Sequence, residues 1–128
     1  MSKIPTKRFS TALRDVVRHK MEELGEVDFL IGIPSYGSDN SIAHVISTIH
    51  KGLDTYFHNS KALIMVSDGG STDDTRDIAR AVDIGSFNIE KIVSIYRGVP
   101  GKGSALRAIF EAGKFLNPKA VAVFDCAL

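Results

Sequence analysis

Two carboxylates and a lysine, each set beside small residues, are the groups in this chain best placed to do chemistry. Asp68 comes just after the apolar run Ala62–Val66 and opens the turn Gly69-Gly70-Ser71-Thr72-Asp73-Asp74-Thr75. A carboxylate at the carboxyl end of a buried strand stands where open α/β sheets bind ligands. Asp125 follows a second apolar run, Ala120–Phe124, in the same manner. Lys102 lies between Gly101 and Gly103, ahead of a helical pattern. Glycines there let backbone amides approach a phosphate closely, and the ammonium adds a positive charge. Each feature also has a purely structural reading. Asp68 can close an Asx turn on its own loop, Asp125 can end a strand, and Lys102 can be a solvated turn lysine. The lysine loop has neither the spacing of a Walker A loop nor the GxGxxG pattern of a dinucleotide site.

The elements that must position these groups alternate. Phe29–Ile33, Ala62–Val66, Ile92–Tyr96 and Ala120–Phe124 read as strands, and Pro34 is expected to end the first because it cannot donate to a ladder. Between them lie helical patterns. The first has the stripe Ile42, Val45, Ile46, Ile49 and Leu53, with Asn40 or Ser41 as its cap. The second turns Ile78, Ala79 and Val82 inward, and Ser71 and Asp74 form a capping box at its start. The third turns Ala105, Leu106, Ile109 and Phe110 inward. A further helix is expected over 6–24, with Phe9, Leu13, Val16, Val17 and Leu24 on one side. His44, His50 and His58 lack the spacing of helix-borne metal ligands and are expected to face solvent. Strands alternating with helices imply βαβ units and a parallel sheet, whose right-handed crossovers bring the strand-end loops to one edge. Asp68 and Asp125 should meet there.

Composition narrows the classes. The 128 residues fit one domain spanning 1–128, and the formal net charge of +1 offers no general field for nucleic acid or an anionic membrane. Trp is absent, which weighs against a base-stacking surface. One cysteine, Cys126, makes an internal disulfide or a cysteine-rich zinc site impossible within the chain. No stretch has the length of a membrane span or the pattern of a signal peptide, so a cytoplasmic location is expected. A strand so near residue 128 suggests either a truncated form of a longer design or an edge covered by another chain. A homodimer, through the sheet edge or the first helix, is the expected assembly.

Three segments in order carry a family resemblance: Ile33-Pro34-Ser35-Tyr36, Val66-Ser67-Asp68-Gly69-Gly70-Ser71-Thr72-Asp73-Asp74-Thr75, and Gly101-Lys102-Gly103-Ser104-Ala105-Leu106. Together they resemble the family 2-like glycosyltransferases of the GT-A fold, in the branch of glucosyl-3-phosphoglycerate and mannosylglycerate synthases. The resemblance implies a Rossmann-like GT-A half domain, with about four mainly parallel strands and helices on both faces. It implies binding of a nucleotide-diphosphate sugar for glycosyl transfer, with Mg²⁺ or Mn²⁺ as cofactor. By that resemblance Pro34, Ser35 and Tyr36 line the base and ribose pocket, and Asp68 with Gly69 meets the nucleoside. Gly101, Lys102 and Gly103 then lie near the base–ribose or diphosphate region, and Asp125 begins an Asp-x-Asp metal motif. Two positions depart from the family pattern. Gly37-Ser38 replaces Asn-Glu after the tyrosine, and Ala127 replaces the second Asp, which should weaken a hard cation's site. The resemblance supplies no catalytic residue within the chain, since the acceptor half and the base follow this point in the family. A catalytically inactive nucleotide-binding or assembly module is therefore the alternative. A nucleotidyltransferase fits less well, because the loop Ser35–Ser41 after the first strand carries no basic residue.

Overall fold

The computed structural model describes residues 13–96 and 98–126. In chain order the elements are α1 (Asp15–Leu24), β1 (Phe29–Ser35), α2 (Ile42–Tyr56), β2 (Ala62–Asp68), α3 (Thr75–Ala81), β3 (Ile89–Ile95), α4 (Lys102–Leu116) and β4 (Ala120–Val123). The strands form one parallel sheet in the order β3-β2-β1-β4. This is a Rossmann-like α/β half domain, as expected.

Side-chain alternation along the strands divides the core into two layers. Leu30, Leu63, Met65 and Ile92 pack with α1 and α4 through Val17, Met21, Ala108, Ile109 and Ala112. Ile31, Ile33, Ile64, Val66 and Ile89 pack with α2 and α3 through Ile42, Val45, Ile46 and Ala79. β1 and β2 are apolar on both faces because both faces are covered, the usual state of a parallel sheet.

Several local expectations are corrected. Pro34 does not end β1; it continues in register with Ser67. The Gly32 carbonyl accepts the Phe124 N–H at 2.9 Å, so even-numbered residues of β1 turn their backbone toward β4. β4 pairs only as far as Gly32 with Val123. The donor that Pro34 lacks would therefore have had no ladder partner. β3 begins at Ile89, earlier than expected, since an edge strand tolerates the polar Glu90 and Lys91.

On α4 the buried residues are Ala105, Ala108, Ile109 and Ala112, whereas Phe110 is 60% exposed. The helix turns its small side chains to the sheet. Gly32 makes room for it, because a Cβ there would lie 2.6 Å from Ile109 Cγ2. On α1, Val17 and Met21 face the core and Val16 is exposed. Phe9 and the rest of the expected helix over 6–12 lie outside the described residues.

Candidate functional site at the carboxyl edge of the sheet

The order β3-β2-β1-β4 reverses direction between β1 and β4, and open α/β sheets bind ligands outside the strand ends at such a switch point. The loops after β1, β2 and β3 and the residues after β4 meet at this edge. They are joined mainly by backbone. Gly69 N–H donates to Ser35 O at 2.8 Å, Tyr96 N–H to Asp68 O at 2.9 Å, and Gly101 N–H to Gly69 O at 2.8 Å. A Cβ on Gly69 would stand 2.1 Å from Gly101 O, so the two glycine-rich loops touch only because residue 69 has no side chain.

Asp68 is fully buried, and its carboxylate is occupied by its own chain. Oδ1 accepts from Ser35 Oγ at 3.0 Å and from Ser71 Oγ at 2.6 Å. Oδ2 accepts from the N–H groups of Gly70 at 3.1 Å and Ser71 at 2.8 Å. Ser71 Oγ in turn accepts the Gly37 N–H at 2.9 Å, and Thr75 Oγ1 accepts the Ser38 N–H at 2.9 Å. Asp68 therefore holds the ends of β1 and β2 together and shapes the loops around them. The expected nucleoside contact would require a ligand to replace one of these partners.

The helix starts also differ from expectation. Ser71 and Asp74 form no capping box, because Ser71 is committed to Asp68 and Asp74 makes no side-chain capping bond. Asp73 acts instead. Its Oδ1 accepts the Thr75 N–H at 3.0 Å and the Thr75 hydroxyl. The Thr75 hydroxyl and then the Thr75 N–H hold the Asp73 carboxyl below the usual carboxylate range. Ser41 precedes α2 but does not cap it with its side chain; its hydroxyl donates to the Cys126 carbonyl. Cys126 is buried, with Sγ 3.4 Å from Pro34 O, and so ties the end of β4 to β1.

The accessible chemistry lies next to this scaffold. Pro34 and Ser35 are buried, while the Tyr36 ring is 45% exposed. Lys102 is the first residue of α4, with Gly101 before it at φ +138° and no side-chain cap on the helix. Gly103 is exposed in the first turn. The Lys102 Nζ donates to Asp125 Oδ1 at 2.6 Å, so two residues singled out separately in the sequence form one ion pair. A capless helix N-terminus beside an ammonium favours an anion.

The same geometry bears on a metal. Among the described residues no three His, Cys, Asp or Glu side chains gather to hold an ion. Asp125, the expected ligand, already carries the Lys102 ammonium, and Ala127 lies outside the described residues. These side chains do not fit a resident divalent cation.

Sequence reasoning missed the roles of Gly37, Ser38, Ser71 and Thr75 as cross-loop ties. Their signal was the density of hydroxyls around Asp68 and Asp73. It also placed His50 in solvent, whereas His50 Nε2 lies 2.7 Å from Ser86 Oγ, which donates to Asp54 Oδ1 at 3.2 Å. His44 and His58 are exposed as expected. Among the described residues no helix is long and apolar enough to cross a membrane. The chain matches no protein family, no curated protein and no solved structure, so its resemblance to glycosyltransferases rests on the quoted residues alone.

Proposed function

We propose that the carboxyl edge of this sheet binds the nucleoside diphosphate part of a sugar donor, as a glycosyltransferase-like donor-binding module. The observation that carries the reading is Lys102. It stands at the uncapped start of α4, between two glycines, at the sheet edge where the order reverses between β1 and β4. The diphosphate lies against the first amides of α4 and the Lys102 ammonium, and the base lies against the exposed face of Tyr36. Asp68 acts as a positioning residue that fixes the Ser35 and Ser71 ends of the two loops. In glycosyl transfer the same ammonium stabilises charge that develops on the leaving diphosphate.

The Lys102–Asp125 pair supports binding that needs no divalent cation. An incoming diphosphate exchanges one anionic partner of the ammonium for another. The test is calorimetric titration of the folded chain with UDP, GDP and their glucose and mannose conjugates, with and without Mn²⁺. The expected result is selective binding of one nucleotide, little changed by Mn²⁺ and weakened about tenfold or more by Lys102→Met. Absence of binding to the folded chain overturns the reading. Binding that requires Mn²⁺ overturns its metal-independent form.

A further inference from the structure

β4 pairs with β1 as far as Val123, and the Phe124 N–H still reaches Gly32 O at 2.9 Å. Beyond that point the chain makes contacts of a different kind. Asp125 Oδ1 accepts from Lys102 Nζ at 2.6 Å, at the start of α4. The Cys126 carbonyl accepts from the Ser41 hydroxyl, just before α2. Cys126 Sγ lies 3.4 Å from Pro34 O on β1. α4 packs on one face of the sheet and α2 on the other. Residues 125 and 126 therefore bridge from one helix start to the other, where the order β3-β2-β1-β4 reverses.

We propose, on the basis of the donor-binding reading, that residues 125 and 126 are an autoinhibitory strap across the diphosphate position. In the closed arrangement the Asp125 carboxylate holds the ammonium that the diphosphate needs. Placing both anions on one ammonium brings like charges together, so the entering ligand displaces Asp125. Cys126 is the next residue and moves with it.

The contacts have the strengths that such a strap requires. The Lys102 and Asp125 side chains are 35% and 63% exposed, and an ion pair open to water is held weakly. Cys126 is fully buried, and its carbonyl has the Ser41 hydroxyl as partner. The firmer hold is therefore on the α2 side, away from Lys102. A ligand that enters only open molecules binds in proportion to the open fraction. Loosening the Cys126 end then raises affinity without touching the diphosphate position. Exchange of one anion for another at Lys102, with no strap, gives no such link.

Ser41→Ala tests that link. Ser41 makes no side-chain cap on α2, so the substitution removes no cap from that helix, and no charge changes. Loss of one hydrogen bond should raise the open fraction roughly three- to tenfold. Two readouts follow that fraction. One is alkylation of Cys126, the only cysteine, by the neutral reagent iodoacetamide, which reaches a buried thiol through the open form. The other is calorimetric affinity for UDP and GDP. Both should rise by the same factor in Ser41→Ala. In the unaltered chain, saturating nucleotide should speed alkylation, whereas a ligand that only covered a closed site would slow it. Asp125→Asn removes the competing carboxylate and should tighten nucleotide binding roughly two- to fivefold.

Unchanged alkylation in Ser41→Ala overturns the strap. So does faster alkylation there with unchanged affinity, slower alkylation when nucleotide is bound, or weaker binding by Asp125→Asn. In each of these cases nucleotide binding by the unaltered chain leaves the donor-binding reading standing. No binding of either nucleotide to the folded unaltered chain overturns that reading, and the strap with it.

Discussion

The backbone of Gly101 donates to the carbonyl of Gly69 at 2.8 Å, and a Cβ on Gly69 would come within 2.1 Å of Gly101 O. The loop carrying Lys102 is therefore held against the end of β2 through a contact that no side chain can share. Gly69→Ala should destabilise the fold by about 2 kcal/mol or more, since backbone rather than a flexible side chain must move. Gly103→Ala is the internal contrast. Nothing lies within reach of a Cβ there and the residue is helical, so it should stabilise by up to about 1 kcal/mol. Denaturant unfolding of both variants checks the pair. Equal effects would contradict the close approach of the two loops.

Asp68 gives a prediction about carboxylate chemistry away from any ligand. Asp68→Ala strands two hydroxyls and two N–H groups at a buried position and should cost about 3 kcal/mol. Asp68→Asn keeps one oxygen for the Gly70 and Ser71 amides, and the rotatable hydroxyls of Ser35 and Ser71 can accept from its amide. It should cost clearly less. If Asn were as damaging as Ala in urea unfolding, the organising role assigned to this carboxylate would be wrong.

The sheet and its helices were legible because apolar runs and glycine-rich turns alternate, and burial on both faces makes β1 and β2 continuously hydrophobic. The gathering of strand-end loops at one edge was legible from topology alone, whereas the pairing of Lys102 with Asp125 there was not. What escaped was rotation and partner choice. Periodicity marked Phe110 as inward, but the close approach of α4 to Gly32 selects the alanine face. The residues Ser71, Asp73 and Thr75 are all competent caps. Which of them caps α3 depends on Asp68 drawing Ser71 away, a contact between loops that spacing does not encode.

Acid sensitivity follows from two carboxylates. Asp28 is held below the usual carboxylate range first by the Lys61 N–H and then by Lys119; Asp73 is held there by Thr75. A depressed folded pKa means that the unfolded chain binds more protons, so stability is present above the unfolded value and is lost as pH falls through the folded one. Thermal unfolding should show Tm falling below about pH 5. The double change Asp28→Asn and Asp73→Asn should flatten that slope. An unchanged acid slope in the double variant would refute the assignment.

Ser94 offers a gain in stability. Its Oγ is buried and, among the described residues, has no hydrogen-bond partner. An unsatisfied buried hydroxyl costs roughly 1–3 kcal/mol, so Ser94→Ala should raise Tm by a few degrees. A lower Tm would show that the hydroxyl has a partner.

The proposed donor site seats a nucleoside diphosphate at the carboxyl edge, against Tyr36 and the start of α4. Amide chemical-shift mapping during titration with UDP, GDP and their sugar conjugates resolves this placement, because every loop reports separately. The nucleotide that binds should shift Tyr36, Gly37, Gly70 and the amides from Gly101 to Ser104, and these shifts should shrink in Lys102→Met. Shifts confined to the opposite edge, around Lys61 and Asn88, or no shifts at all, would contradict it.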